Sequence, residues 1–187
     1  MKRIVWVTLL CAACATGGGE QKKAGGPRSA EGAVEVDDVL HGVKYTLPPS
    51  SEGWQVAHEG AAHVSGAGVQ VDVGSFPLPS LAQPATCRDA ARNRKALAQA
   101  DAPRDESTSD SPTATWTFTR GSGLAAIRIR SGFFARGSDC LVLQVSGPQS
   151  DSFSEKVFDS AAKSFTVHTL APEQQREVDL LAGMGFL

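Results

Sequence analysis

His58-Glu59-Gly60-Ala61-Ala62-His63 is the stretch of this 187-residue chain whose residue types come nearest to a reactive site. Two imidazoles and a carboxylate are the ligands and base of zinc hydrolysis. The helical form of that site, His-Glu-x-x-His, needs its histidines at i and i+4 so that they share one face. Here they stand at i and i+5 across Gly60, where apolar residues recur at every second position. As a hairpin pair they would need a third ligand, for which His41 is the candidate, and no physiological metal is expected. Gly121-Ser122-Gly123 fits a hairpin turn better than the strand-to-helix elbow Gly-x-Ser-x-Gly. Cysteine catalysis needs a free thiol near a histidine, and Cys87 and Cys140 are expected to be joined. Neither common phosphate loop occurs, since the glycines at 17 to 19 lie in a polar N-terminal stretch. No catalytic residue, metal ligand or cofactor is therefore assigned, and the chain is read as a non-enzyme.

Positive charge is the other candidate chemistry. Arg88, Arg92, Lys95, Arg120, Arg128, Arg130 and Arg136 would suit anionic lipid or an acidic partner if they shared a surface, although solvated faces are the commoner place for such residues. The whole chain carries 18 Lys plus Arg against 20 Asp plus Glu. That balance gives no reason to expect a nucleic-acid partner.

The compartment is set by the first residues. Lys2 and Arg3 precede the apolar run Ile4 to Leu10, and the small residues Ala12-Ala13 precede Cys14, as in an export signal. The run is about a dozen residues, short of the roughly 20 that a spanning helix needs. Ala12-Ala13-Cys14 resembles the lipobox of bacterial lipoproteins. The family usually has Leu three residues before the cysteine, and here Cys11 stands in that place with Leu10 one step further out. The resemblance implies removal of residues 1–13 as a signal peptide and lipidation of Cys14. Cys11 is a weaker acceptor because bulky Leu10 precedes it, and the alternative is an ordinary secretory cut near Ala15 or Thr16. Ala15 in the position after the cysteine implies the outer membrane. Two or more acyl chains hold a protein stably on a bilayer.

Export divides the four cysteines. Cys11 leaves with the signal, Cys14 takes the lipid, and Cys87 and Cys140 remain to form a disulfide in an oxidising compartment. A redox pair is the alternative, but there is no Cys-x-x-Cys motif.

Residues 14–34 read as the lipidated cysteine and a Gly-rich tether with a reach of roughly 25 Å. Residues 35–169 read as one globular domain, large enough to bury a core. Val43, Tyr45 and Leu47 alternate with polar residues, as do Trp54, Val56 and His58, and then Val69, Val71 and Val73 beyond a turn at Gly66 to Gly68. Phe76-Pro77-Leu78-Pro79 ends the run. A helix is expected over 86–100, with Cys87, Ala90, Ala91, Leu97 and Ala98 on a narrow face. Residues 101–112 read as a loop. Strands return with Ala114, Trp116 and Phe118 against the β-branched row Thr115, Thr117 and Thr119, and with Ile127 and Ile129 against Arg128 and Arg130. Cys140 to Val145 is nearly all apolar and is expected at the sheet centre. A second helix carries Phe153, Val157, Phe158, Ala161, Ala162 and Phe165 on one stripe, with Ser152 and Glu155 as a capping box. Residues 170–187 read as an amphipathic tail helix whose Val178, Leu181, Met184 and Phe186 pack back on the domain or dock a partner.

The expected fold is α+β, an antiparallel sheet of about six to seven strands with helices packed on its two faces. The first helix is stapled to the central strand through Cys87 and Cys140. This element order, with Pro48-Pro49 and Trp54 early and Phe158 to Phe165 late, resembles PsbP/Mog1-like domains over roughly residues 36 to 168. That resemblance carries no functional residue across and implies a non-enzymatic accessory or binding role. The expected function is a membrane-anchored binding module of the cell envelope with an envelope protein partner. The alternatives are an exported small-molecule or metal-binding protein, or an enzyme of unrecognised type.

Overall fold

The computed structural model describes residues 32–59, 61–96, 103–169 and 171–173. The signal stretch 1–13, Cys14, the tether up to residue 31 and the tail helix beyond residue 173 lie outside the described residues. Among these residues the chain is α+β, in the order β1 (Val34–Asp38), β2 (Val43–Leu47), β3 (Gln55–Glu59), β4 (Ala61–Gly66), β5 (Val69–Pro77), α1 (Pro84–Ala96), β6 (Arg104–Ser109), β7 (Ala114–Arg120), β8 (Ile127–Arg136), β9 (Asp139–Pro148), α2 (Phe153–Ser164) and β10 (Thr166–Val167). Seven strands form one antiparallel sheet, in the order β3-β4-β5-β9-β8-β7-β6.

Alternation makes the core. On β9, Leu141, Leu143 and Val145 are buried with Val69, Val71 and Val73 of β5 and with Val157, Phe158 and Ala161 of α2. Cys140, one residue out of phase, belongs to a second cluster with Cys87, Trp116, Phe118, Ile129 and Phe133. The near-continuous apolar run thus serves two clusters, and β9 is the middle strand of the seven. Cys87 and Cys140 are joined in a disulfide, with Cα atoms 5.5 Å apart and both residues fully buried.

Several expectations need correction. Three strands stand outside the large sheet: β1, β2 and β10 form a separate small sheet in the order β1-β2-β10. Strand β1 begins inside the stretch 14–34 that reads as tether: Val34 and Val36 alternate with exposed Glu35 and half-buried Asp37 and pair with Leu47 and Tyr45 of β2. Residues 104–109, expected in a loop, form edge strand β6 with all six residues exposed. An edge strand wetted on both faces needs no apolar alternation, and polar residues there discourage pairing with another chain. Helix α1 begins at Pro84, two residues before its expected start, because proline lacks only an N–H that the first turn leaves unpaired anyway; residues 97–100 of the expected helix lie outside the described residues. The capping box is not made. The Ser152 side chain makes no capping bond, the Asp151 Oδ1 accepts from the Phe153 N–H at 2.8 Å, and Glu155 turns instead to Arg128.

Gly66 shows how tightly the β3–β4 end is packed. A Cβ there would lie 2.6 Å from the Gly53 carbonyl oxygen and 2.9 Å from the Trp54 ring. The Trp54 Nε1–H donates to the Pro48 carbonyl at 2.7 Å, and the indole stacks on Phe153 at 6.0 Å.

Candidate functional site

The described surface of β7 carries the threonine row foreseen from its alternation. Thr115 pairs with Gly132, Thr117 with Arg130 and Thr119 with Arg128 of β8. Residues opposite each other on neighbouring strands share a face, so hydroxyls and guanidinium groups stand side by side. Helix α2 borders this face. Arg128 Nη1 meets the Glu155 carboxylate at 2.8 Å and Arg130 Nη1 meets Asp159 at 3.0 Å. The Arg130 guanidinium also lies 4.4 Å from the centroid of the Phe158 ring, a cation–π geometry.

On the far side, β6 supplies the other wall. Its register against β7 shifts between Arg104 and Ser107, and Asp105 takes a left-handed φ of 51°. A bulge of this kind twists an edge strand and re-aims its side chains. The result is an open groove of about 400 Å³ lined by hydroxyls of Ser107, Ser109, Thr115, Thr117 and Thr119 together with the two arginines. It continues into a more apolar recess of about 570 Å³ beside Pro112, Phe158, Ala162 and Lys163. A hydroxyl-rich wall with fixed guanidinium groups can hydrogen-bond a ligand laid along the strands.

The basic residues do not converge. Arg88 pairs with Asp89 and Asp110, Arg92 with Glu106, and Arg136 reaches Asp139 at 3.8 Å and the His41 carbonyl at 2.8 Å. With Arg128 and Arg130 also paired, five of the seven cations face a carboxylate. Arg120 is exposed at the end of β7, and the Lys95 side chain lies outside what is described.

The backbone places the three candidate histidines at different positions, and the side chains of His58 and His63 lie outside what is described. His58 stands opposite Ala62 and His63 opposite Ala57, one position out of phase in the β3–β4 register. His41 is buried elsewhere, in the β1–β2 turn. Its Nδ1 lies 2.8 Å from Asp38 Oδ2 and its backbone N–H donates to Asp38 Oδ1 at 3.0 Å. Among the described residues no three His, Cys, Asp or Glu side chains gather as a metal site would require. Sequence reasoning missed the Asp38–His41 pair, for which the i, i+3 spacing was the available signal. Nearby, the Tyr45 hydroxyl is buried with no hydrogen-bond partner among the described residues. Burial, and then the negative charges of Asp38 and Asp72, push it above the usual phenol range.

No family model matches the chain, and no curated protein matches it. Among solved structures the chain is similar to a protein of Bacteroides thetaiotaomicron, at 11% identity and a TM-score of 0.43 over 74% of this chain and 49% of that one. The chain thus spans about half the length of the structure it resembles.

Proposed function

We propose that this chain is a lipid-anchored, non-enzymatic binding module of the bacterial cell envelope, held through Cys14 and carrying a PsbP/Mog1-like domain that receives an envelope component. The observation that carries the binding role is the open groove between β6, β7, β8 and α2, whose polar groups are hydroxyls and charge-paired arginines. A broad trough with a polar floor and an apolar recess at one end suits a surface-exposed partner that lies along the strands and seats an apolar group in the recess. The same reading puts α1 and α2 on opposite faces of the large sheet. Its support is that Phe133 and Phe134, adjacent on β8, join different clusters, one with Cys87 and the other with Phe165.

A photo-reactive side chain at Thr117 should crosslink an envelope component in intact cells, while one at exposed Asn93 on α1 should not. Arg130→Ala should weaken the Thr117 adduct by roughly tenfold or more, as loss of an interfacial arginine commonly does. Equal adducts from both positions, or none from Thr117, would refute the groove as the binding surface.

A further inference from the structure

The point where the described chain begins and its most exposed apolar loop lie at the same end of the molecule. Strand β1 starts at Val34, which pairs with Leu47. The next residue, Pro48, accepts from the Trp54 indole, which stacks on Phe153 at the start of α2. Just before that helix, the Gln149 N–H donates to the Ala126 carbonyl at 3.0 Å, which ties this end to the β7–β8 connection. In that connection Leu124 is fully exposed on a 3₁₀ turn over Gly123–Ala125, and Ile127 is 43% exposed. Gly121 and Gly123 have φ values of 80° and 64°, which other residues adopt only at a cost, so the backbone itself presents Leu124. Exposed Arg120 borders the loop. The opposite end, where Arg136 meets the His41 carbonyl and the β8–β9 turn lies at Ser138, exposes Leu81 and Val39 as well, so the choice of end rests on where the chain enters β1.

We propose that the Leu124 loop is a membrane-contact element, seated at the headgroup boundary of an anionic phospholipid bilayer with Leu124 and Ile127 inward and Arg120 against lipid phosphate. This rests on the lipid-anchor reading of Cys14. A tether of roughly 25 Å reach entering at this end holds the loop at high effective concentration near the bilayer, so a contact too weak to bind alone is populated. Apolar side chains at a loop tip partition into the interface, and anionic lipid attracts the neighbouring cation. The domain then stands with the Ser138 end facing away from the membrane.

The test uses the acylated full-length mature protein reconstituted in phosphatidylcholine–phosphatidylglycerol vesicles. An environment-sensitive fluorophore is attached at Ser122→Cys in one preparation and at Ser138→Cys in another. A blue shift is expected at 122 and none at 138, and Leu124→Asp should abolish the shift. Emission at 122 matching that at 138 in an acylated preparation would overturn the loop contact alone, and a shift that survives Leu124→Asp would overturn the role of Leu124. The intact mass of the same preparation separates these from failure of the anchor: a chain without acyl groups would refute the reading of Cys14, and the proposal with it.

Discussion

Replacing both Cys87 and Cys140 with alanine is expected to lower the unfolding free energy by about 4 kcal/mol in the chain-entropy account of a crosslink. The two cysteines are separated by 53 residues, and most of the sheet on one side of β9 lies within that loop: β6, β7 and β8 all fall between them. Freeing it in the unfolded chain releases loop-closure entropy, and the drop in melting temperature should be on the order of 10 °C. Because both cysteines are fully buried in the cluster with Phe133 and Trp116, the alanine pair also loses packing, so the effect should not fall far below that figure. Thermal unfolding of the double variant beside the oxidised protein checks this. Equal melting temperatures would mean that α1 holds its place on β8 and β9 without the bond.

The second large effect is expected at His41. Asp38 is 1% exposed and His41 is 6% exposed, and both Asp38 oxygens are engaged by His41, one by its ring and one by its backbone N–H. Removing the imidazole leaves one oxygen of the buried Asp38 side chain without its hydrogen-bond partner, which commonly costs about 1–3 kcal/mol and more where the group is charged. His41→Ala should therefore destabilise the domain by that order in urea unfolding. Adding Asp38→Asn should recover part of the loss, since the residual charge disappears with it. Simple additivity of the two changes would show that the pair does not act as a unit. The turn matters beyond itself, because the His41 carbonyl accepts from Arg136 of β8 and the Gly42 carbonyl from the His168 N–H, at 2.9 Å. The small sheet is thus fastened to the large one at this corner.

These two sites show where the sequence was readable, at the disulfide, and where it was not, at the Asp38–His41 pair. The disulfide followed from counting cysteines once export was assumed, and the central place of β9 followed from its unbroken apolar run. The stripe on α2 was legible because its burial obeys helical spacing. Strand β6 was not, because a strand exposed along its whole length lacks the alternation that reports a buried face. Strand β10, two residues with both exposed, is too short to carry a pattern, so the small sheet could not be separated from the large one. The threonine row of β7 was visible as a polar face, yet the groove depends on Glu155 and Asp159, which lie 27 and 29 residues beyond the arginines they meet. Those pairings are tertiary, and they turned an apparent basic surface into a charge-balanced one. The Asp38–His41 spacing was local, but nothing in the composition of the turn announced that both side chains would be buried.

The central claim is that this chain is anchored through Cys14 and exported with Cys87 and Cys140 oxidised. Intact mass of the protein extracted from cell membranes, measured before and after reduction, tests both parts together. The account predicts a chain that starts at residue 14 and carries acyl groups on it, and that gains two hydrogens on reduction. A chain without acyl groups, starting at Met1 or beyond Cys14, would contradict the anchor, and an unchanged mass on reduction would contradict the disulfide.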